Sequence, residues 1–355
     1  MLSSGCTKID QRQVNLEIPS GIIEINKTEL DDVLKKLGEM AEIYGEKALV
    51  MVDKINDTTG TAEHTKAEIP YDVTEMTISA LNSMGKNVLF IPYRPDIIAN
   101  LKNLGYSNFE NKLIPSAIII GGITEFDRGL ETKEDSSNLG YETDTFGQET
   151  PVGIEYMQGE KKSTAKIAID YNMLDMNTMS GCPEIQTSNS MQVHKGIGKQ
   201  ELGFTIFGPT LGLKGEVKKV EGRHAALRIL IQASIIQLIG KYLNIPYWKL
   251  IDGAEPDSTV EKYVKRRWVY QMDSIEKIIK IQELLYLHGY SNVALTGKID
   301  KETEVAVKLF SEKMNCSSRI DYEFYSNLYY SLLVDNSTIN RRYNLTKKTY
   351  KQQKK

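Results

Sequence analysis

The sequence predicts an α/β fold in which a sheet domain with two extended β-hairpins precedes a small helical domain, and three observations carry the prediction. Apolar runs of strand length alternate with amphipathic helical stretches from Thr28 to Ile120. Glu221 to Leu243 reads as one long helix, apolar over most of its surface, which has to pack across a sheet. Between Thr187 and Lys214, two arms of alternating residues flank the polar tip Gly198-Lys199-Gln200-Glu201, as in a long hairpin.

Taken in order, Thr28 is the expected N-cap of a helix to Tyr44, with Leu30, Val33, Leu34, Leu37 and Met40 on one side and a stop at Gly45. Ala48 to Val52 is a buried strand, closed by the turn Asn56-Asp57-Thr58-Thr59-Gly60. A polar loop, a helix from Tyr71 to Met84 and the strand Val88 to Ile91 follow; Pro95 then begins a helix that ends at Leu104-Gly105. Ala117 to Ile120 and Lys166 to Leu174 are further strands. On the first arm of the hairpin Met191, Val193 and Ile197 share a face; on the second Leu202, Phe204 and Ile206 do, with a bulge expected at Gly208-Pro209. Arms of roughly 9 to 11 residues match the hydrocarbon thickness of a bilayer. A lone spanning hairpin would leave its outer amides unpaired in lipid, so spanning requires a barrel closed by several subunits. The alternation fits equally an arm packed on a neighbouring subunit in water.

Composition bounds the rest. The 355 residues, 41% hydrophobic, suffice for one large and one small domain. A formal charge of −3 argues against a dedicated nucleic-acid binder, and no apolar run is long enough for a transmembrane helix. The chain opens Leu2-Ser3-Ser4-Gly5-Cys6, small residues running into a cysteine as at the cleavage site of a bacterial lipoprotein signal, which makes Cys6 the candidate lipidation site. The charged and apolar regions of a signal are missing, so the start is placed late or the sequence is cut; otherwise Cys6 is an ordinary thiol in a frayed tail. Cys182 and Cys316 have no metal-ligand spacing. The four histidines, His64, His194, His224 and His288, are isolated, and Gly196-Ile197-Gly198 does not lead a buried strand into a helix. The expectation is a non-enzyme without cofactor or metal.

The strand and turn from Val50 to Gly60, the return from Ile69 to Leu81, Ile118-Ile119-Ile120-Gly121-Gly122-Ile123, Ile167-Ala168-Ile169-Asp170 and Gly215-Glu216-Val217 carry a resemblance by their order and spacing. From Lys47 to Leu250 the chain resembles the curli secretion-channel family, the CsgG-type outer-membrane lipoproteins. That resemblance implies an acylated N-terminal cysteine, a periplasmic α/β ring, and two hairpins per subunit that join neighbours in one barrel. The loop after the Thr-Gly turn narrows the ring in that family with aromatic and amide side chains. Here it is shorter and has no aromatic, leaving Glu63, His64, Lys66 and Glu68 as the constriction residues and implying a wider hole. Thr124 to Thr164, the first hairpin, is heavily charged, although Val152, Ile154 and Tyr156 alternate well. Some of its charges must lie in the lumen or above the membrane, or the hairpin never enters lipid.

Ser274 to Asn315 reads helix, loop, helix, with a last helix from Tyr322 to Leu333. Gln282, Gly289, Tyr290, Gly297, Thr303, Ala306, Val307 and Phe310 fall on the pattern of the small three-helix peptidoglycan-binding domain, which this part resembles; Thr296 stands where aspartate is usual and Ser311 where glutamine is. The glycines suit turns and the apolar residues a small core, and such a domain also persists as a protein-contact module.

The expected organisation is an acylated segment over 1–27, the CsgG-like α/β domain over 28–251 with hairpins near 124–166 and 187–215, a linker over 252–271, the peptidoglycan-binding-like domain over 272–336, and a basic disordered tail over 337–355. The membrane residues are Val193, Ile197, Leu202, Phe204 and Ile206. The expected function is a lipid-anchored homo-oligomeric pore or ring on the periplasmic face of the outer membrane, used for secretion or export and tethered to peptidoglycan. Its candidate occupant is a secreted protein or a filament; nucleic acid is not a partner. The alternative is a non-conducting collar of an envelope-spanning machine such as a pilus, flagellum or secretion system.

Overall fold

The computed structural model of the protein describes residues 27–64, 69–92, 94–106, 113–131, 162–196, 202–207, 218–220 and 223–353. Its strands are β1 (Ala48–Asp57), β2 (Val88–Phe90), β3 (Ala117–Glu131), β4 (Lys162–Asp175), β5 (Gly181–Gly196), β6 (Leu202–Phe207) and β7 (Lys218–Val220). They form an open mixed sheet in the order β2-β1-β3-β4-β5-β6-β7. β1 runs parallel to β2 and β3, which requires crossovers, and the remaining neighbours are antiparallel. The helices are α1 (Asp31–Tyr44), α2 (Thr61–His64), α3 (Thr74–Asn82), α4 (Pro95–Asn103), α5 (Arg223–Tyr242), α6 (Ser258–Arg266), α7 (Ser274–Leu287), α8 (Lys301–Met314), α9 (Tyr322–Tyr330) and α10 (Asn336–Gln353). Among the described residues no helix is long and apolar enough to cross a membrane.

One face of the sheet is covered. The Asn189 amide nitrogen on β5 donates to Ser234 Oγ and Gln237 Oε1 on α5, each at 3.0 Å, so the face shared by Thr187, Asn189, Met191 and Val193 is turned to α5. Ile167, Ile169 and Tyr171 of β4 stand opposite Met191, Asn189 and Thr187 and face the same way. Tyr171, fully buried, meets Thr77 of α3 hydroxyl to hydroxyl at 2.7 Å, which puts α3 and α5 on one side. α5 can be apolar over most of its surface because α3 lies beside it on the sheet and α1 also packs against it. Thr28 does not cap α1: its hydroxyl donates to Gln232 of α5 at 2.5 Å, and the helix starts at Asp31. Gly240 lets the 3-10 turn Tyr247–Leu250 sit against α5, since a Cβ there would fall 2.3 Å from the Tyr247 ring.

Two expected segments are corrected. The stretch 252–271 is not a linker: Asp257 caps α6 by accepting from Thr259 N at 2.8 Å, and Val260, Val264 and Trp268, four residues apart, are all buried. Nor is 337–355 a disordered tail over its described part. α10 lies against α1 and α7, burying Thr338 and Leu345, while Arg341 donates to the Leu287 carbonyl at 2.7 Å. The polar composition of α10 hid it, because a helix that buries only one stripe needs few apolar residues.

Candidate functional site

Three features bear on function: the turn after β1, the hairpins, and the C-terminal module. Asp57, nearly buried at the end of β1, accepts from Thr59 N at 2.9 Å, Thr59 Oγ1 at 2.6 Å and Ala62 N at 2.7 Å, folding the turn back into α2. Burial pushes its carboxyl up, but the donors from Ala62 and Thr59 outweigh that and hold it below the usual range. Thr58 ties the turn to β3 through Ile123 O at 2.7 Å. Glu63 is exposed on α2, where His64 also lies. Lys66 and Glu68 lie outside the described residues. The turn is therefore rigid up to the point where the expected constriction begins.

β3 and β4 pair without a break in direction from Ala117–Asp175 to Glu131–Lys162, with one register shift near Ile123. β5 and β6 form the second hairpin, pairing Met191 with Ile206, Val193 with Phe204 and Lys195 with Leu202. Leu202, Phe204 and Ile206 thus occupy β6, while Ile197 lies outside the described residues. Val193 is corrected as a lipid-facing residue: it is 4% exposed, on the α5 side of the sheet, because an alternating arm looks the same whether a helix or lipid covers it. Past Val193, four residues remain on the first arm before the tip expected at Gly198. At about 3.3 Å per residue they reach roughly 13 Å, well short of a hydrocarbon core of about 30 Å.

In the C-terminal module Gln282, Gly297, Thr303, Ala306, Val307 and Phe310 are buried, Tyr290 is half-buried and Gly289 is exposed. Gln282, 0% exposed, makes five hydrogen bonds: its amide nitrogen reaches Lys298 O at 2.8 Å and the hydroxyls of Thr296 and Thr303 at 3.1 Å each, and its oxygen accepts from Thr296 N and Gly297 N at 2.9 and 3.0 Å. Thr303 in turn donates to Asp300 Oδ1 at 2.6 Å. Thr296 makes the turn through its hydroxyl, which donates to Lys298 O at 3.0 Å. Gly297 and Gly289 sit at φ 70° and 102°, conformations that favour glycine. Phe310, 1% exposed, packs on Phe324 edge to face at 5.6 Å, and Tyr290 packs on the rim of the core. These residues hold the fold; a ligand would meet the outer surface instead, where Ile299, Val307, Lys308 and Ile320 line a groove of roughly 480 Å³.

The junction between the two domains was not anticipated. Tyr44 of α1 donates to Tyr329 O at 2.5 Å, Tyr329 donates to Asn244 O at 2.9 Å, and Lys249 donates to Tyr330 O. Trp268 stacks on Tyr325 at 4.5 Å and 13°. Arg342 on α10 joins three parts, donating to Ile43 O at the end of α1 and pairing with Glu283 of α7 at 2.5 Å, while Lys280 holds the same carboxylate at 2.9 Å. His288 reaches Leu328 O at 2.9 Å, and burial lowers its affinity for a proton. The sequence signal was present in the run of tyrosines from 322 to 330, too many for a three-helix mini-core to bury alone.

A second cavity, roughly 470 Å³, lies between β5, α5 and the start of α6 and is lined by Thr187, Asn189, Gln237, Lys241 and Asp257. Lys241 there donates to Gln186 O at 2.9 Å and stands 3.8 Å from Asp257. No group of three metal-ligating side chains occurs among the described residues. The chain matches no protein-family model and no curated protein.

Proposed function

We propose that the protein is a subunit of a homo-oligomeric ring of the CsgG type, anchored through acylated Cys6 at the periplasmic face of the outer membrane and held to peptidoglycan by its C-terminal module. As a secretion or export pore it passes a protein substrate through the ring. The observation that carries this reading is the length of the central strands. β3, β4 and β5 are 15, 14 and 16 residues long, against about 5 to 6 in an ordinary domain, and β3 and β4 run on toward the 132–161 segment as a ribbon. Such ribbons suit lateral pairing between subunits around a ring.

The second reading, a non-conducting collar around an envelope-spanning machine, is favoured by the short reach of the second hairpin past Val193 and by a turn loop without aromatics. Imaging detergent-extracted particles decides between them. A ring with a narrow lumen and a complete detergent belt supports the pore; a wide ring without a belt that spans the bilayer supports the collar; monomers refute both.

A further inference from the structure

We propose that α4 is the arm by which one copy of this chain docks on the next, its apolar stripe covering the free face of the neighbour's sheet over β1 and β3. This rests on the homo-oligomeric reading above. At 100° per residue, Ile97, Ile98, Leu101 and Leu104 fall within about 120° of one another, with Asp96, Asn100, Lys102 and Asn103 around the remainder. In a closed domain such a stripe faces the core. Here Ile97, Ile98 and Leu104 are 42%, 51% and 76% exposed, Tyr106 just past the helix is 63% exposed, and Leu113 and Ile114 ahead of β3 are 56% and 73% exposed. Together they leave apolar surface on the order of 500 Å², the size that marks a contact surface on a monomer and more than half of the roughly 800 Å² a partner contributes to a stable interface.

The receiving surface is on the same chain. Strands in a parallel sheet are buried on both faces and so read as continuous apolar runs, and β1, β2 and the start of β3 do read that way. Among the described residues the helices that pack on the sheet, α3 and α5, lie on one face. On the other face Leu89, Leu49, Met51, Ile118, Ile120 and Leu174 form a strip across four strands, by the pairings Leu49–Leu89, Met51–Ile118, Ile118–Leu174 and the alternation along β1 and β3. All but Ile118 remain partly exposed. Among the described residues no helix packs on this strip, and α4 itself makes only marginal contact with the sheet. Each copy therefore offers an exposed stripe on α4 and a half-buried apolar strip on which no helix of the described residues packs. A head-to-tail contact satisfies both, and repeated around an axis it closes a ring.

The test uses the full chain in detergent. A photo-crosslinker, p-benzoylphenylalanine, replaces Leu104 in isotopically labelled protein mixed with unlabelled protein, and the cross-linked peptides are sequenced. The expected product joins two copies, with the acceptor in residues 48–52 or 117–121. In parallel, Ile98→Glu with Leu104→Glu weakens assembly roughly tenfold or more by mass photometry, with the far-ultraviolet circular dichroism unchanged. Cross-links confined to one copy or to any other segment overturn the proposal, as does a double variant that assembles like the wild type. Those results leave a ring built through another surface, whereas a wild-type chain that stays monomeric overturns the ring itself.

Discussion

Replacing Arg342 by methionine should loosen the C-terminal module from the sheet domain without changing either fold. The guanidinium and the Glu283 carboxylate are 12% and 15% exposed and 2.5 Å apart, so this is a buried pair rather than a surface one. Breaking such a pair costs about 3 to 5 kcal/mol when the remaining charge is stranded. Lys280 still holds Glu283 at 2.9 Å, which brings the expected loss to about 2 kcal/mol, and the Ile43 carbonyl left at the end of α1 adds about 1. The total, about 3 kcal/mol, is read by urea unfolding. Both tryptophans of the chain report on the junction, Trp248 beside Tyr330 at 6.0 Å and Trp268 on Tyr325. Glu283→Gln and the double variant complete the cycle and isolate the coupling. Burial alone would raise the Glu283 carboxyl, but Lys280 and Arg342 hold it below its ordinary 4.5. The contribution is therefore present above about pH 4.5 and is lost as pH falls through the lower folded value. A loss under 0.5 kcal/mol at neutral pH, or a wild-type chain whose module melts separately, would show that α10 does not lock the two parts.

Three further outcomes follow from the same geometry. Gln282→Leu should cost the module about 3 kcal/mol by removing a hub that satisfies the 296–298 turn, so its melting temperature falls together with any peptidoglycan sedimentation; lost sedimentation with an unchanged melt would make Gln282 a ligand contact. Gly240→Ala should destabilise by about 2 to 3 kcal/mol in thermal melts, because Tyr247 cannot yield without stretching its 2.5 Å bond to Asp257; a neutral effect would mean the turn moves freely. His288 is held neutral by burial, with Lys313, Arg341 and Lys249 adding to that. Stability is complete above pH 6.5 and falls by up to about 1.4 kcal/mol per unit below it, and His288→Asn removes that slope in urea titrations at pH 5 to 8.

Much of the fold was legible because its signals are local. Continuous apolar runs marked β1, β2 and the start of β3, and one helix apolar over most of its surface marked α5. The helices of the C-terminal half were punctuated just as clearly: Asp257, Asp273, Asp300, Asp321 and Asp335 each accept from an amide in the first turn of α6, α7, α8, α9 and α10. None of the five is taken as a cap from the sequence: apolar spacing alone gives the helices behind Asp273, Asp300 and Asp321, and those behind Asp257 and Asp335 are missed because the residues behind them are polar. Their burial depends on what the rest of the chain presents: Trp268 needs Tyr325, and Arg342 needs Glu283 and Ile43. A residue that is buried only by a distant partner leaves no periodic trace of its own. The family-pattern residues show the converse limit, since Gln282 is recognisable in sequence for a role that is entirely internal.

The hairpins mark where alternation stops being informative. Met191 and Val193 alternate as lipid-facing residues would, yet they are buried under α5, while Gln186, Ser188, Ser190 and Gln192 on the other face are polar and at least partly exposed. The pattern over 187–193 is therefore accounted for by the core, and evidence for a bilayer has to come from residues beyond it. On the second hairpin only His194 to Ile197 on the first arm and Leu202 and Gly203 of β6, with the tip between them, lie past the Val193–Phe204 pair. The first hairpin has length that the second lacks: past the Glu131–Lys162 pair the 30 residues 132–161 are enough for two arms of about 10 with a loop to spare, and the alternating Val152, Ile154 and Tyr156 would fall in the second of them. If either ribbon enters lipid, it is this one, and its many charges then have to fall on the lumen side. Arginine placed at Ile154 should abolish membrane integration in that case, at a cost of about 2 to 4 kcal/mol per subunit near the midplane, whereas the same change at Phe204 should leave integration intact. Integration that survives Ile154→Arg in carbonate-washed membranes would remove the barrel and leave the collar.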